Sequence, residues 1–209
     1  LENATANKKD SDQIIESVSA EDIGKLPDAS IGESIARLPG LTSQRISGRA
    51  GFISVRGFGP DFSSTLLNGR QQTSTNDNRG IEFDQYPSEV VSAVNVYKTP
   101  SANLVGQGLV GTIDIRTVRP LDKSERTFAV GARGSYADLG KLNSGSDDKG
   151  YRLFGTYIDQ NDAGTFGVAL SVAYSNESYQ TEEFEAWGVA DAGANKIIGG
   201  VKPFVTSSK

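Results

Sequence analysis

The sequence predicts an α+β domain, a small mixed sheet with short helices, over residues 1–122, followed from residue 123 by antiparallel strands. Three observations carry this. Twenty-four glycines in 209 residues favour turns and strands over long helices. Apolar residues recur in short runs that switch between helical and strand periods as far as residue 122. Beyond residue 123 the pattern becomes long, regular alternation. On alternation alone, those later strands fit a soluble β-sandwich or the wall of a transmembrane β-barrel equally well.

In chain order, Gln13–Val18 reads as a short strand, and Ser19 with Asp22 as the start of a brief helix that stops before Pro27. Ser30 and Glu33 form a capping box, Ile31, Ile35 and Leu38 share one helical face, and Pro39-Gly40 ends that helix. Short strands follow at Thr42–Ile46, Phe52–Arg56 and Thr65–Leu67, with Asn68-Gly69 as a tight hairpin turn. Pro87-Ser88-Glu89 opens another short helix, and Val94 and Val96 alternate in a strand. In Thr112–Thr117, Ile113 and Ile115 face one side while Thr112, Asp114 and Arg116 face the other.

The later strands start with Phe128, Val130 and Tyr136 on one face, then a blurrier Tyr151–Ile158. In Phe166, Val168, Leu170, Val172 and Tyr174 one face is wholly apolar with an aromatic at each end. That segment approaches the ~9–11 tilted residues of a bilayer-crossing strand. A long polar connection at Asp138–Gly150 and a tight turn at Gln160–Gly164 alternate as outer-membrane barrels do. No stretch reaches the ~18 apolar residues of a transmembrane helix.

The composition also excludes chemistry. With no histidine and no cysteine, the Ser-His and Cys-His nucleophile systems, thiolate metal sites and disulfides are absent. Glu182/Glu183 and Asp147/Asp148 are adjacent pairs that a strand would send to opposite faces, so neither flanks one glycosidic bond. No catalytic residue, metal site or cofactor is expected. The net charge of −5 argues against nucleic acid. Gly106-Gln107-Gly108-Leu109-Val110-Gly111 spells a dinucleotide fingerprint but precedes a strand instead of opening a helix. Asn143–Asp148 lacks the terminal glutamate of a calcium loop.

Several segments, taken together, carry a family resemblance. Ile31–Leu41, ending Leu38-Pro39-Gly40-Leu41, resembles the opening helix and turn of TonB-dependent outer-membrane receptor plugs. Ile53-Ser54-Val55-Arg56-Gly57-Phe58-Gly59 is similar to their strand-and-turn motif, and Leu66-Leu67-Asn68-Gly69 to their hairpin. Val94–Pro100 and Gly108–Ile115 resemble the remaining two motifs, in the family's order. Lys98-Thr99-Pro100, Ser19–Lys25 and Val118-Arg119-Pro120 look like a branch associated with oligosaccharide uptake.

The resemblance implies a plug over 1–122 filling the lumen of a large transmembrane β-barrel whose first strands are 123–209, in the cell outer membrane. Three strands cannot close a barrel, since the smallest have about eight. The implied partners are TonB, engaged through a segment upstream of the plug, outer-membrane lipid, and a small solute. Nothing in Leu1–Asp12 looks like that TonB-engaging segment. The implied solute is an oligosaccharide, with ferric siderophores or cobalamin as the alternative within the family. A soluble carbohydrate-binding or adhesive β-rich module is the alternative of another class.

Within that frame Arg56, Lys98 and Arg116 are candidates for a releasable plug-to-barrel latch, because breaking one side of a buried pair is costly. Arg56 is expected on its strand, sharing a face with Phe52 and Ser54. The solute face is expected on loops. Asp61, Phe62, Asn76, Asn78 and Arg79 offer the carboxylate, aromatic, amide and guanidinium groups that sugar recognition uses. Trp187 is a further stacking or interface candidate.

Overall fold

The computed structural model describes residues 2–19, 30–46, 48–86, 88–104, 108–123, 125–142, 144–145, 147–177, 179–183 and 204–208. Contacts divide the chain into two compact units, 1–131 with 153–174, and 132–152 with 175–209.

Helix α1 (Glu2–Asp10), polar apart from Ala4 and Ala6, was not expected from the sequence, which offers no apolar face there. The first strand, β1 (Ile15–Ser19), and helix α2 (Ile31–Ala36) follow. Ser30 is the N-cap of α2, but its side chain makes no cap hydrogen bond, so the expected capping box does not form. Instead the Glu33 N–H reaches the Ser30 carbonyl at 3.3 Å. The segment read as a brief helix after Ser19 lies outside the described residues, as does Trp187.

Strands β2 (Leu41–Ile46) and β3 (Arg49–Val55) pair as a hairpin. Next come β4 (Ser63–Leu67), β5 (Arg70–Gln71), β6 (Val91–Tyr97) and β7 (Gly111–Thr117). The main sheet has the order β1-β6-β7-β4-β5 and is mixed, with β4 parallel to β7 and the other pairs antiparallel.

One face of this sheet makes the core. Val94 sits opposite Ile115 and Val96 opposite Ile113, all four fully buried. Ile31 and Ile35 of α2, Ile53 and Val55 of β3, and Phe83 join the same cluster. Burying each such side chain contributes about 1.5–3 kcal/mol. The alternate residues of β7 are buried too: Thr112 bonds Ser64 across the sheet, and Asp114 is 0% exposed. Alternation predicted the two faces correctly, but not that the polar one would be covered.

Two tight turns use the left-handed region. Asn68 and Gly69 have φ of 52° and 79°, as a two-residue hairpin requires. Arg56 and Gly57 repeat this at 54° and 79° and close a bridge between Val55 and Phe58. Arg56 is therefore not a strand residue sharing a face with Phe52 and Ser54, because β3 ends at Val55 and the turn carries Arg56 outward.

A three-stranded sheet of order β10-β9-β8 holds β8 (Thr127–Tyr136), β9 (Lys149–Gln160) and β10 (Gly167–Asn176). A separate pair joins β11 (Tyr179–Glu183) to β12 (Phe204–Ser208). Phe128, Val130, Phe166, Leu170, Val172 and Tyr174 are all exposed, forming the apolar outer face that the alternation predicted. On the other side Thr156 meets Ser171, and Ile158 is buried.

Candidate functional site

Two features converge at the end of the sheet where β4 and β7 begin. The Arg56-Gly57 turn leads through a short 3₁₀ turn, Pro60–Phe62, into β4. The Phe62 carbonyl accepts the Val110 N–H at 3.1 Å, tying this turn to the entry of β7. Phe58 and Phe62, each about half exposed, lie edge to face with ring centres 5.8 Å apart. Phe62 was a sequence candidate. Phe58 was missed, although its place in the Arg-Gly-Phe turn was visible.

Beside them the chain from Gln72 to Gly80 folds back along β4. The Gln72 N–H reaches the Thr65 carbonyl at 2.9 Å. A cavity of about 260 Å³ opens between this loop and β4. Hydroxyls and amides dominate its lining, among them Ser63, Thr65, Gln72, Ser74 and Asn78, with Arg79 as the charged member. Such a surface offers donors and acceptors without a carboxylate.

The structure gives the other loop candidates internal partners. Asp61 Oδ1 accepts the backbone N–H groups of Arg79 (2.8 Å) and Gly80 (3.1 Å). Asn76 Nδ2 donates to Glu82 Oε1, and Asn78 Oδ1 lies 3.1 Å from Ser74 Oγ. Glu82, missed in the sequence, is the hub of the loop. Burial pushes its carboxyl up, but hydrogen bonds from backbone, Ser74 and Thr75 outweigh this and hold it below the usual range. The cue was present: a lone acid between apolar Ile81 and Phe83 needs partners.

The three cationic candidates separate. Lys98 is buried, with Nζ 3.3 Å from Glu16 Oε1 and a second bond to the Pro39 carbonyl. Arg116 Nη2 sits 2.5 Å from Asp114 Oδ2, without the alignment of a hydrogen bond. Arg56 is exposed, its N–H donating to the Gly40 carbonyl at 2.8 Å.

A second cavity, about 310 Å³, lies between Glu89, Val90, Thr117 and Val118 of the α+β domain and the inner faces of β9 and β10 at Thr156, Ile158, Ala169 and Ser171. The domain thus abuts the side of these strands opposite their apolar face.

Residues 7–113 match the TonB-dependent Receptor Plug Domain profile. Over 130 residues the chain is 32% identical to the ferric enterobactin receptor PirA of Pseudomonas aeruginosa, covering 54% of this chain and 17% of that one. It is 27% identical over 175 residues to the probable TonB-dependent siderophore receptor PirA of Acinetobacter baumannii, covering 67% and 22%. The chain therefore spans only 17% and 22% of the length of these curated relatives. Among solved structures, the Serratia marcescens hemophore receptor HasR, as a double mutant with its hemophore HasA and heme, aligns with a TM-score of 0.59 at 15% identity, covering 83% of this chain and 25% of its own. The Escherichia coli outer membrane transporter YddB aligns at 0.58 and 18%, covering 92% and 29%. At these identities the two structures speak for the fold. The profile match over half the chain, the mixed sheet and the apolar-faced strands agree: this chain belongs to the TonB-dependent receptor plug domain family, with its place in the outer membrane.

Proposed function

We propose that this chain is the plug, residues 1–122, and the opening wall strands, from 123, of a receptor that imports a scarce solute with energy delivered through TonB. The observation that carries the reading is the placement of the domain against the face of β9 and β10 that bears Thr156, Ile158, Ala169 and Ser171, while the opposite face of the three-stranded sheet exposes Phe128, Leu153 and Leu170. A lipid-facing wall with a filled interior has such an apolar outer face and a covered inner one. Of the latch candidates, Arg56 is the one whose guanidinium is not spent inside the domain among the described residues, so the barrel-wall pairing is assigned to it. Lys98 and Arg116 would then brace the plug internally.

The solute face is the Phe58/Phe62 pair with the adjoining polar cleft. An oligosaccharide is favoured by the cleft's hydroxyl and amide lining beside exposed rings, since sugar rings stack on aromatic faces and hydrogen-bond at their edges. Asp61, Asn76, Asn78 and Arg79 then shape the cleft more than they reach from it. A ferric siderophore is the second reading, favoured by the two curated relatives. Competition binding to the intact receptor decides between them. Labelled maltohexaose displaced by unlabelled sugar, with affinity lowered in Phe62→Ala, supports the first; binding of ferric enterobactin alone supports the second.

A further inference from the structure

The loop at the solute face is built around one buried acid. Glu82 is 9% exposed and belongs to the segment that anchors the loop in the core through Ile81 and Phe83. Its Oε1 accepts from Ser74 Oγ at 2.9 Å, Thr75 Oγ1 at 3.1 Å and Asn76 Nδ2, and its Oε2 accepts the Thr75 N–H at 3.4 Å. Asp61 supplies a second tie from the opposite rim, binding the N–H groups of Arg79 and Gly80. The bonds meet the loop at both ends of its exposed stretch. Neither carboxylate lines the 260 Å³ cleft, whereas Ser74, Asn78 and Arg79 of the loop do. The acids are thus turned toward the loop's own donors, and the loop's polar groups form the cleft wall. Hydrogen bonds to an ionised acceptor are the stronger kind, and satisfying a buried carboxylate fixes the donors around it.

We propose that Glu82, assisted by Asp61, is the positioning residue of the solute-binding face: it fixes residues 72–80 as a preformed wall of the cleft. Selection then occurs on a set surface, not by closure of a mobile loop, and ordering cost is met during folding instead of binding. The inference rests on the receptor reading above.

The test uses the intact receptor with two probes, maltohexaose and ferric enterobactin. Glu82→Ala is expected to speed amide exchange at Thr75 while Ile113 exchange stays as in the wild type. It is also expected to weaken whichever probe binds by about tenfold, because several side chains must then be ordered on binding. Glu82→Gln, which keeps Oε1 as an acceptor for Ser74, Thr75 Oγ1 and Asn76 but turns an amide NH2 toward the Thr75 N–H, is expected to recover most of the affinity and not the slow Thr75 exchange. A merely structural acid would leave probe affinity unchanged once the protein is folded. In Glu82→Ala, faster Thr75 exchange with unchanged affinity overturns the positioning role and leaves the receptor reading standing; unchanged exchange in that variant overturns it as well. If neither probe binds the wild-type receptor, the solute-face reading fails and takes this inference with it.

Discussion

Lys98 Nζ lies 3.3 Å from Glu16 Oε1 with both side chains about nine-tenths buried, joining the end of β6 to the edge strand β1. Glu16 Oε2 takes Lys8 of α1 at 2.8 Å, and Lys98 also caps the Pro39 carbonyl after α2. One buried ammonium thus holds β1 and the turn following α2 together. Removing it leaves a buried carboxylate and a carbonyl short of a partner. Lys98→Met is therefore expected to destabilise the domain by about 3 kcal/mol, toward the low end for broken buried pairs because Lys8 remains. Urea unfolding of wild type and variant measures this.

The acids impose a pH dependence. Burial alone would raise Glu16, but the bond from Lys8 and the charge of Lys98 bring it below its ordinary value of 4.5. Glu82 is likewise held below 4.5. A carboxylate depressed in the folded state contributes stability that is fully present above its unfolded value and is lost as pH falls through the folded one. Unfolding free energy is thus expected to be level near neutral pH and to decline below about pH 4.5. Replacing both acids by glutamine should flatten that limb.

The hairpin after β4 rests on a buried acid as well. Asp114 Oδ1 accepts the Gly69 N–H at 3.0 Å, while the Asn68 amide bonds Thr117 twice, at 2.8 and 3.0 Å. At φ 79° a side chain at position 69 is strained, so Gly69→Ala is expected to cost about 1–2 kcal/mol. Asn68→Ala should cost a similar amount through the two lost bonds, about 1 kcal/mol each. Thermal unfolding of each variant checks both.

Gly108 has a packing reason unrelated to nucleotides. A Cβ there would fall 2.2 Å from the Gly111 carbonyl and 2.9 Å from the Ser64 nitrogen, where the chain passes the start of β4 and β7. Gly108→Ala is expected to destabilise by about 1–3 kcal/mol as overpacking does. The melting temperature of the variant against wild type is the readout.

Much of this fold was legible because its signals are local. The alternation in Thr112–Thr117 and Phe166–Tyr174, the Asn68-Gly69 turn and the Pro39-Gly40 stop each follow from backbone geometry at that spot. What stayed hidden depends on distant partners. The Ser30/Glu33 capping box reads correctly in sequence, yet the Ser30 hydroxyl makes no bond to the α2 amides. Glu16 looks like an ordinary surface acid until Lys98, 82 residues away, is in place, and Glu82, flanked by Ile81 and Phe83, shows a need for partners without showing which loop donors supply them. Asp61, Asn76 and Asn78 carry chemistry that a solute could use, and the fold spends much of that chemistry on the loop itself. Arg56 was misplaced for a local reason: the Arg-Gly pair that marks the motif is itself the turn.

The most direct test of the receptor account is solute accumulation by cells carrying the intact receptor, offered labelled maltohexaose and ferric enterobactin with and without a proton uncoupler. At least one probe is expected to accumulate, with accumulation abolished by the uncoupler and by deletion of the gene. Probe that binds the cell surface through this protein but never accumulates in an uncoupler-sensitive way would contradict it, and would point to an adhesive module instead.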